Sequence, residues 1–401
     1  MLAALDKWYG EQFNRAQVRI HLSNAYLRIF LGELLASVIV MSIGLGSTAQ
    51  AVVSRELAFP NRTGTAQVPP PHPERSSSFP LAGDFVSVAA AWGVAYAFGV
   101  MVTGGVSGGF MNPALTLAMG LFARIRLSFV PVFWLAQYLG ALIAAGVVGL
   151  VYKDALWAVD CQFDHNCERT LVTAEVFASF PRGVLIGQQM GSVLDVLVGS
   201  CLFGCLTFAM WDPRNLGARR ELGAIFMGLA VIAIALSFGY NSGFPINPAR
   251  DFAARLFAVM AGWGTGLFHY YDYYFWIPVV VPHIGCLLGA LLYELYIGFH
   301  FPYWTFNNES GAAEIVHPDG ELRDPPSPQH PPPTEPYFLR VLEKDGHGTT
   351  PRDDRSVTFL KPPPNTPFSA AGAESNRGAD DAAGAPASYN RPTKSAASSA
   401  L

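Results

Sequence analysis

Charge is scarce in this chain of 401 residues: only 14% are Asp, Glu, Lys or Arg, against 51% hydrophobic. Soluble domains carry roughly 25% charge, so a membrane protein is the first expectation. The net charge of −4 is small and speaks against a nucleic-acid partner, whose binding needs a basic surface. Cysteine is scarce too, and five Cys make no disulfide framework. Cys201, Cys205 and Cys286 fall in apolar runs and read as small packed hydrophobes. Cys161 and Cys167 lie in a polar loop. They pair if that loop faces an oxidising compartment and otherwise stay free thiols. The first 23 residues carry Lys7, Arg15 and Arg19 but no apolar core with a small-residue cleavage site. No cleavable leader is expected there. Nothing in the pattern asks for a metal or a cofactor.

What is abundant is apolar sequence. Six runs are long enough to cross a hydrocarbon core: 27–47, 85–105, 129–151, 187–210, 222–241 and 275–299. Two more, 112–123 and 247–260, are too short. Twelve residues in a helix reach roughly 18 Å, about half of that core, so these segments read as re-entrant half-helices. The order is span, span, half-helix, span, and then the same again. Three spans per repeat is an odd number, so the second copy inserts upside down relative to the first. Inverted repeats place a transport path near the midplane, built from broken helices whose N-termini face it. Non-helical backbone at that depth is tolerated only where it lines a cavity or is buried in protein. The expected fold is therefore all-α: six transmembrane helices plus two half-helices, with repeat 1 over 27–151 and repeat 2 over 187–300.

Orientation follows from Lys and Arg near the span ends. Lys7, Arg15, Arg19, Arg28, Arg124, Arg126, Arg214, Arg219 and Arg220 fall on one side. That side is assigned to the cytoplasm, with residues 1–26 and both termini on it. Arg55, Arg62 and Arg75 fall on the other, so the bias is moderate. Asn61-Arg62-Thr63 is then an outward glycosylation sequon. Residues 301–401 are Pro-, Ser-, Ala- and Gly-rich with little periodicity, which reads as a disordered cytoplasmic tail.

Asn112-Pro113-Ala114 recurs as Asn247-Pro248-Ala249, each after a Gly-containing turn and before a half-length segment. Asn is a favoured N-cap and Pro suits the first helical position, so one copy alone could simply open a helix. Two copies at matching places in two repeats point to a pair of helices meeting N-terminus to N-terminus. Ser107 to Ala114 and Gly243 to Asp251 resemble the two signatures of the aquaporin (major intrinsic protein) family. The resemblance covers residues 27–300. It implies a passive membrane channel assembled as a homotetramer in a lipid bilayer, with the plasma membrane as its expected site.

With their side-chain oxygens capping their own helices, Asn112 and Asn247 are expected to turn free amide N–H groups to the lumen. The helix N-termini add a positive potential of about half a charge each, which repels cations and protons in a pore that cannot rehydrate them. The resemblance places a selectivity filter at Trp92, Ala235, Phe244 and Arg250, found by offset from the two Asn. Water-selective members typically carry His at the position of Ala235. Here that position is small and apolar. Trp92 and Phe244 suit the carbon side of a polyol, and Arg250 can donate to its hydroxyls. The pattern resembles glycerol facilitators, as does Asp251 directly after Arg250. Arg255 stands four residues beyond Asp251, a spacing that permits an ion pair. Glu33 is expected to support the first half-helix loop by accepting backbone N–H bonds, and Asp195 is its candidate counterpart. Phe110 stands where the family usually has His, which makes it a candidate constriction.

The expected function is a channel for glycerol and water that excludes ions and protons. Other small neutral solutes such as hydrogen peroxide, a water-selective pore, and a non-conducting scaffold are the alternatives. Gly105-Val106-Ser107-Gly108-Gly109 matches the nucleophile-elbow pattern of hydrolases. That motif needs a strand-to-helix turn, and here it lies between a span and a half-helix, so no enzyme is expected.

Overall fold

The computed structural model describes residues 2–58, 81–163, 166–183, 186–212, 214–215 and 220–301, with three short strands beyond. Asn61 lies outside the described residues, as does the whole unit Thr349–Leu401. In chain order the helices are α1 (Leu2–Ile20), α2 (Ala25–Ala58), α3 (Phe85–Thr103), α4 (Pro113–Leu121), α5 (Val130–Val151) and α6 (Lys153–Phe163). Then come α7 (Leu171–Ala174), α8 (Gln189–Trp211), α9 (Arg220–Ser242), α10 (Pro248–Ala258), α11 (Tyr270–Tyr273) and α12 (Trp276–Tyr296). Among the described residues, six helical segments are long and apolar enough to cross a membrane. They correspond to the six runs read from the sequence. The clearest difference is α2, whose 34 residues run past the expected end at 47. Polar Thr48 and Ser54 dilute the hydropathy there but are both buried in the bundle.

Each repeat packs in the same way. In the first, α2 lies against α3 and α5; in the second, α8 lies against α9 and α12. The repeats join through α3 on α9, and each half-helix crosses over: α4 packs on α12, and α10 on α5. Lipid supplies no hydrophobic drive between helices, so close approach of small residues does the work. The α3–α9 seam shows it: a Cβ on Gly93 would sit 2.5 Å from the Gly228 carbonyl, and one on Gly228 would sit 2.6 Å from the Gly93 carbonyl. Large apolar side chains such as Leu35, Leu139, Ile143, Leu288 and Leu292 are left exposed on the outside, where hydrocarbon is their natural solvent.

Between α5 and α8 a buried carboxylate organises the connector. Asp160 accepts from the Thr170 amide at 3.0 Å, from the Thr170 hydroxyl at 2.8 Å, from the Thr173 hydroxyl at 2.6 Å, and from Arg169 at 3.0 Å. Cys161 and Cys167 form a disulfide beside it. Of the two readings open for those thiols, the paired one is realised. After α12, Tyr303–Phe306, Ala313–Val316 and Leu322–Arg323 form a three-stranded antiparallel sheet. This departs from the disorder expected from residue 301 on. The Tyr-Trp-Thr-Phe run has strand-forming residue types that the Pro-rich composition downstream obscures.

Candidate functional site

Each half-helix begins with the same local device. Asn112 sits in extended backbone and its Oδ1 accepts from the amides of Ala114 at 2.9 Å and Leu115 at 3.5 Å. Asn247 does the same for Ala249 at 3.0 Å and Arg250 at 3.4 Å. Pro113 and Pro248 occupy the first turn, where a missing N–H costs nothing. The two N-termini are stitched together across the repeats. Asn112 Nδ2 donates to the Ile246 carbonyl at 2.9 Å, and Asn247 Nδ2 to the Met111 carbonyl at 2.8 Å. All six residues of the two triplets are buried.

The side-chain amides of Asn112 and Asn247, expected to turn free N–H groups to the lumen, both find protein partners. Asn247 Nδ2 also donates to the Tyr96 hydroxyl at 2.8 Å. A side-chain amide has two N–H donors, so both are spent. Asn112 spends one N–H on the Ile246 carbonyl, and its side-chain amide also lies against the Tyr96 hydroxyl.

The loops feeding these caps are held by one carboxylate per repeat. Glu33 is fully buried in α2. It accepts from the Ser107 hydroxyl at 2.8 Å, the Phe110 amide at 3.0 Å, the Met111 amide at 2.8 Å and Gln137 Nε2 at 2.8 Å. Ser107 is therefore a strut, and the hydrolase-like pattern around it serves a turn. In the second repeat Asp195 accepts from the Ser242 hydroxyl and from Asn241 Nδ2 at 3.0 Å. Ser107 and Ser242 each stand five residues before their Asn, so the two struts are equivalent. Among the described residues, Asp195 receives no backbone bond like those at Glu33. The position matching Phe110 is Pro245, which has no N–H to give. Sequence reasoning missed the Ser pair, although its repetition was visible.

Trp92, Phe244 and Arg250 converge on a throat of about 10 Å³, lined also by Tyr96, Val231, Ile246 and Asn247. That volume holds roughly one water. The rings of Trp92 and Phe244 meet edge to face with centroids 6.4 Å apart, and the Arg250 guanidinium lies 5.8 Å from the Trp92 ring. Val231 of α9 also lines the throat, and Ala235 is buried one turn beyond it on the same helix. The throat opens into a vestibule of about 350 Å³, whose walls include Arg55, Asp84, Arg182 and Arg250. Three cations face one carboxylate there.

Trp92 is held from behind. Its indole N–H donates to Thr48 at 3.4 Å, and a Cβ on Gly44 would lie 2.4 Å from three indole carbons. One terminal guanidinium nitrogen of Arg250, Nη1, lies 3.5 Å from the Asp251 carboxylate. Its other N–H groups have no protein acceptor among the described residues. Asp251 in turn accepts from the Ser179 amide at 2.7 Å and from the Ser179 hydroxyl. It also accepts from Arg255 Nε at 2.9 Å, while Arg255 donates to the carbonyls of Leu267 at 2.7 Å and Ser179 at 2.8 Å. The expected ion pair forms, and it ties the α6–α8 connector to α10. Phe110 is away from the throat; its ring packs on those of Phe133 and Trp211. His283 makes an edge contact with Trp134 and lies 2.9 Å from the Val279 carbonyl.

On the opposite face is a cluster that sequence reasoning did not find. Arg124 pairs with Glu294, and lies 3.5 Å from Asp212. Asp212 also binds Arg214 at 2.7 Å and accepts from the Tyr293 hydroxyl at 3.1 Å.

Comparison with known proteins agrees with this architecture. The family model described as Major intrinsic protein matches residues 21–293. The chain is 35% identical over 297 residues to Aquaporin-9 of Homo sapiens, covering 73% of this chain and 89% of that one. It is 36% identical over 301 residues to Aquaporin-10 of Milnesium tardigradum, covering 72% and 67%. The X-ray structure of the aquaglyceroporin from Plasmodium falciparum superposes with a TM-score of 0.56 at 23% identity, over 68% of this chain and 97% of that one. At that identity the likeness speaks for the fold alone. Two capped half-helices stitched tip to tip between six spans, in a chain matched by the family model across its whole bundle, make this multi-pass membrane protein a member of the major intrinsic protein family.

Proposed function

We propose that the chain is a passive channel for glycerol and water that excludes ions and protons. The observation that carries this is the throat. Its wall is greasy on one side, where Trp92 meets Phe244, and donates hydrogen bonds on the other, from Arg250. A polyol has that same division, carbon along one edge and hydroxyls along the other. Water fits as well, and a bore of this size forces single file. A cation gains nothing to replace its hydration shell: it meets Arg250, then the N-termini of α4 and α10, each worth about half a positive charge. The Aquaporin-9 likeness and the name of the Plasmodium aquaglyceroporin support the same reading.

The channel belongs in the plasma membrane as a homotetramer, with both termini in the cytoplasm. The vestibule then faces outward and the Arg124–Asp212 cluster inward, with the filter formed by Trp92, Ala235, Phe244 and Arg250. Supporting this orientation, Arg124 and Arg214 share one face of the bundle. Stopped-flow light scattering on proteoliposomes tests the function. Glycerol and water fluxes above those of empty vesicles are expected, with no dissipation of an imposed proton gradient. Water flux without glycerol flux would overturn the polyol reading in favour of a water-selective pore. The absence of both would leave a membrane scaffold.

A further inference from the structure

We propose that Tyr96 is a second selectivity element at the centre of the pore, acting through both its hydroxyl and its ring. The inference rests on the channel reading above and adds a residue that the family signatures do not contain. Tyr96 lies on α3 one turn beyond Trp92, so both side chains project from the same face of the helix. Both line the throat, together with Asn247 and Arg250. The ring cannot swing back, because Phe203 of α8 stands edge-on behind it at 5.9 Å. It therefore sets the bore in the stretch between the filter and the two Asn.

The hydroxyl has a different task. It accepts the second N–H of Asn247 at 2.8 Å, the one not spent on Met111. A phenol accepts and donates at the same oxygen, and its own O–H has no protein acceptor among the described residues. The donor that Asn247 would show to a passing solute is thus handed on: the amide N–H polarises the phenol, and the phenol O–H faces the lumen. Chains of hydrogen bonds strengthen each member, so the relay carries the positive end of α10 outward to the solute. The Asn112 amide also lies against the phenol oxygen, so both capped helices polarise the same group. A solute hydroxyl at the centre meets the phenol O–H, a donor, and its oxygen is held there as an acceptor.

The test uses the full chain in proteoliposomes, with Tyr96→Phe and Tyr96→Val compared to wild type per reconstituted protein. Water, glycerol and the four-carbon polyol erythritol are the three solutes. Tyr96→Phe keeps the ring and removes the relay. It is expected to lower glycerol and water flux by about fivefold, the weight of one hydrogen bond, with erythritol still excluded. Tyr96→Val removes the ring and is expected to raise the erythritol-to-glycerol ratio severalfold. Glycerol flux through wild type that neither variant changes would overturn this proposal alone. So would an equal loss of water and glycerol flux in both variants with erythritol excluded throughout, which would mark a purely structural tyrosine. No flux through any of the three proteins would overturn the channel reading, and this one with it.

Discussion

Gly44 shows how much of the site depends on single atoms. The residue is unremarkable in the sequence, yet its missing side chain is the slot in which the Trp92 indole lies. The indole is trapped between α2 and the throat, so any atom added at Gly44 pushes it toward Phe244 and Arg250. Overpacking of this kind costs about 1–3 kcal/mol unless the neighbour moves. Gly44→Ala is expected to cut glycerol flux by about tenfold, the factor given by ~1.4 kcal/mol of barrier. Water flux should fall less, since water needs less width. Unchanged glycerol flux in stopped-flow assays would mean that the indole retreats elsewhere. Glu33 belongs to the same scale. One carboxylate accepts from two amides, a hydroxyl and a side-chain amide, which fixes the backbone of a loop with a left-handed Met111 at φ 52°. Its role was legible from its place in the first span; its partners Ser107 and Gln137 were not, because nothing local in the sequence ties residue 33 to residue 137.

Among the elements, the ends of α8 and α12 and the turn after α4 are tied by charge. Asp212 follows α8, Glu294 lies near the end of α12, and Arg124 follows α4. Burial pushes the Asp212 carboxyl up, but its bonds to Arg214 and the charges of Arg214 and Arg124 outweigh this and hold it below its ordinary value of 3.8. A group depressed in the folded state stabilises the fold above its unfolded pKa, and that stability is lost as pH falls through the folded value. The contribution is therefore complete at neutral pH and disappears only below about 4. Asp212→Asn is expected to lower the melting temperature at pH 7 and to flatten the decline between pH 4 and pH 3. A wild-type and a variant curve running parallel through that window would show that the cluster adds nothing to stability. The half-helices themselves were readable, since Asn-Pro is an explicit start signal and the following run is short. The extent of α2 was not, because Thr48 and Ser54 look like an exit to water until their packing is seen.

At the scale of the molecule, the bundle is self-contained up to the end of α12, with apolar side chains facing outward all round. The described residues that line its throat and vestibule fall between Thr48 and Arg250. A chain ending at residue 300 is therefore expected to reconstitute with unchanged glycerol flux per protein and to migrate as a tetramer in native mass spectrometry. Flux lost on truncation would show that the segment from 301 onward takes part in conduction, and a monomer would show that it takes part in assembly.

The amino-acid order alone settles the number of spans, the inverted repeat and the two capped half-helices. Each rests on local physics: apolar length against bilayer thickness, and a cap with its proline beside a short helix. Trp92, Phe244 and Arg250 were reachable through offsets from those caps. Only the tertiary structure decides that Val231 lines the throat, and that Tyr96 takes an N–H of Asn247 across 151 positions. It alone shows that Gly44 makes room for Trp92 and that Arg124 reaches Glu294. Contacts of that kind depend on the rotation and depth of packed helices. A shift of one turn exchanges one wall residue for another while leaving the apolar pattern along the chain unchanged.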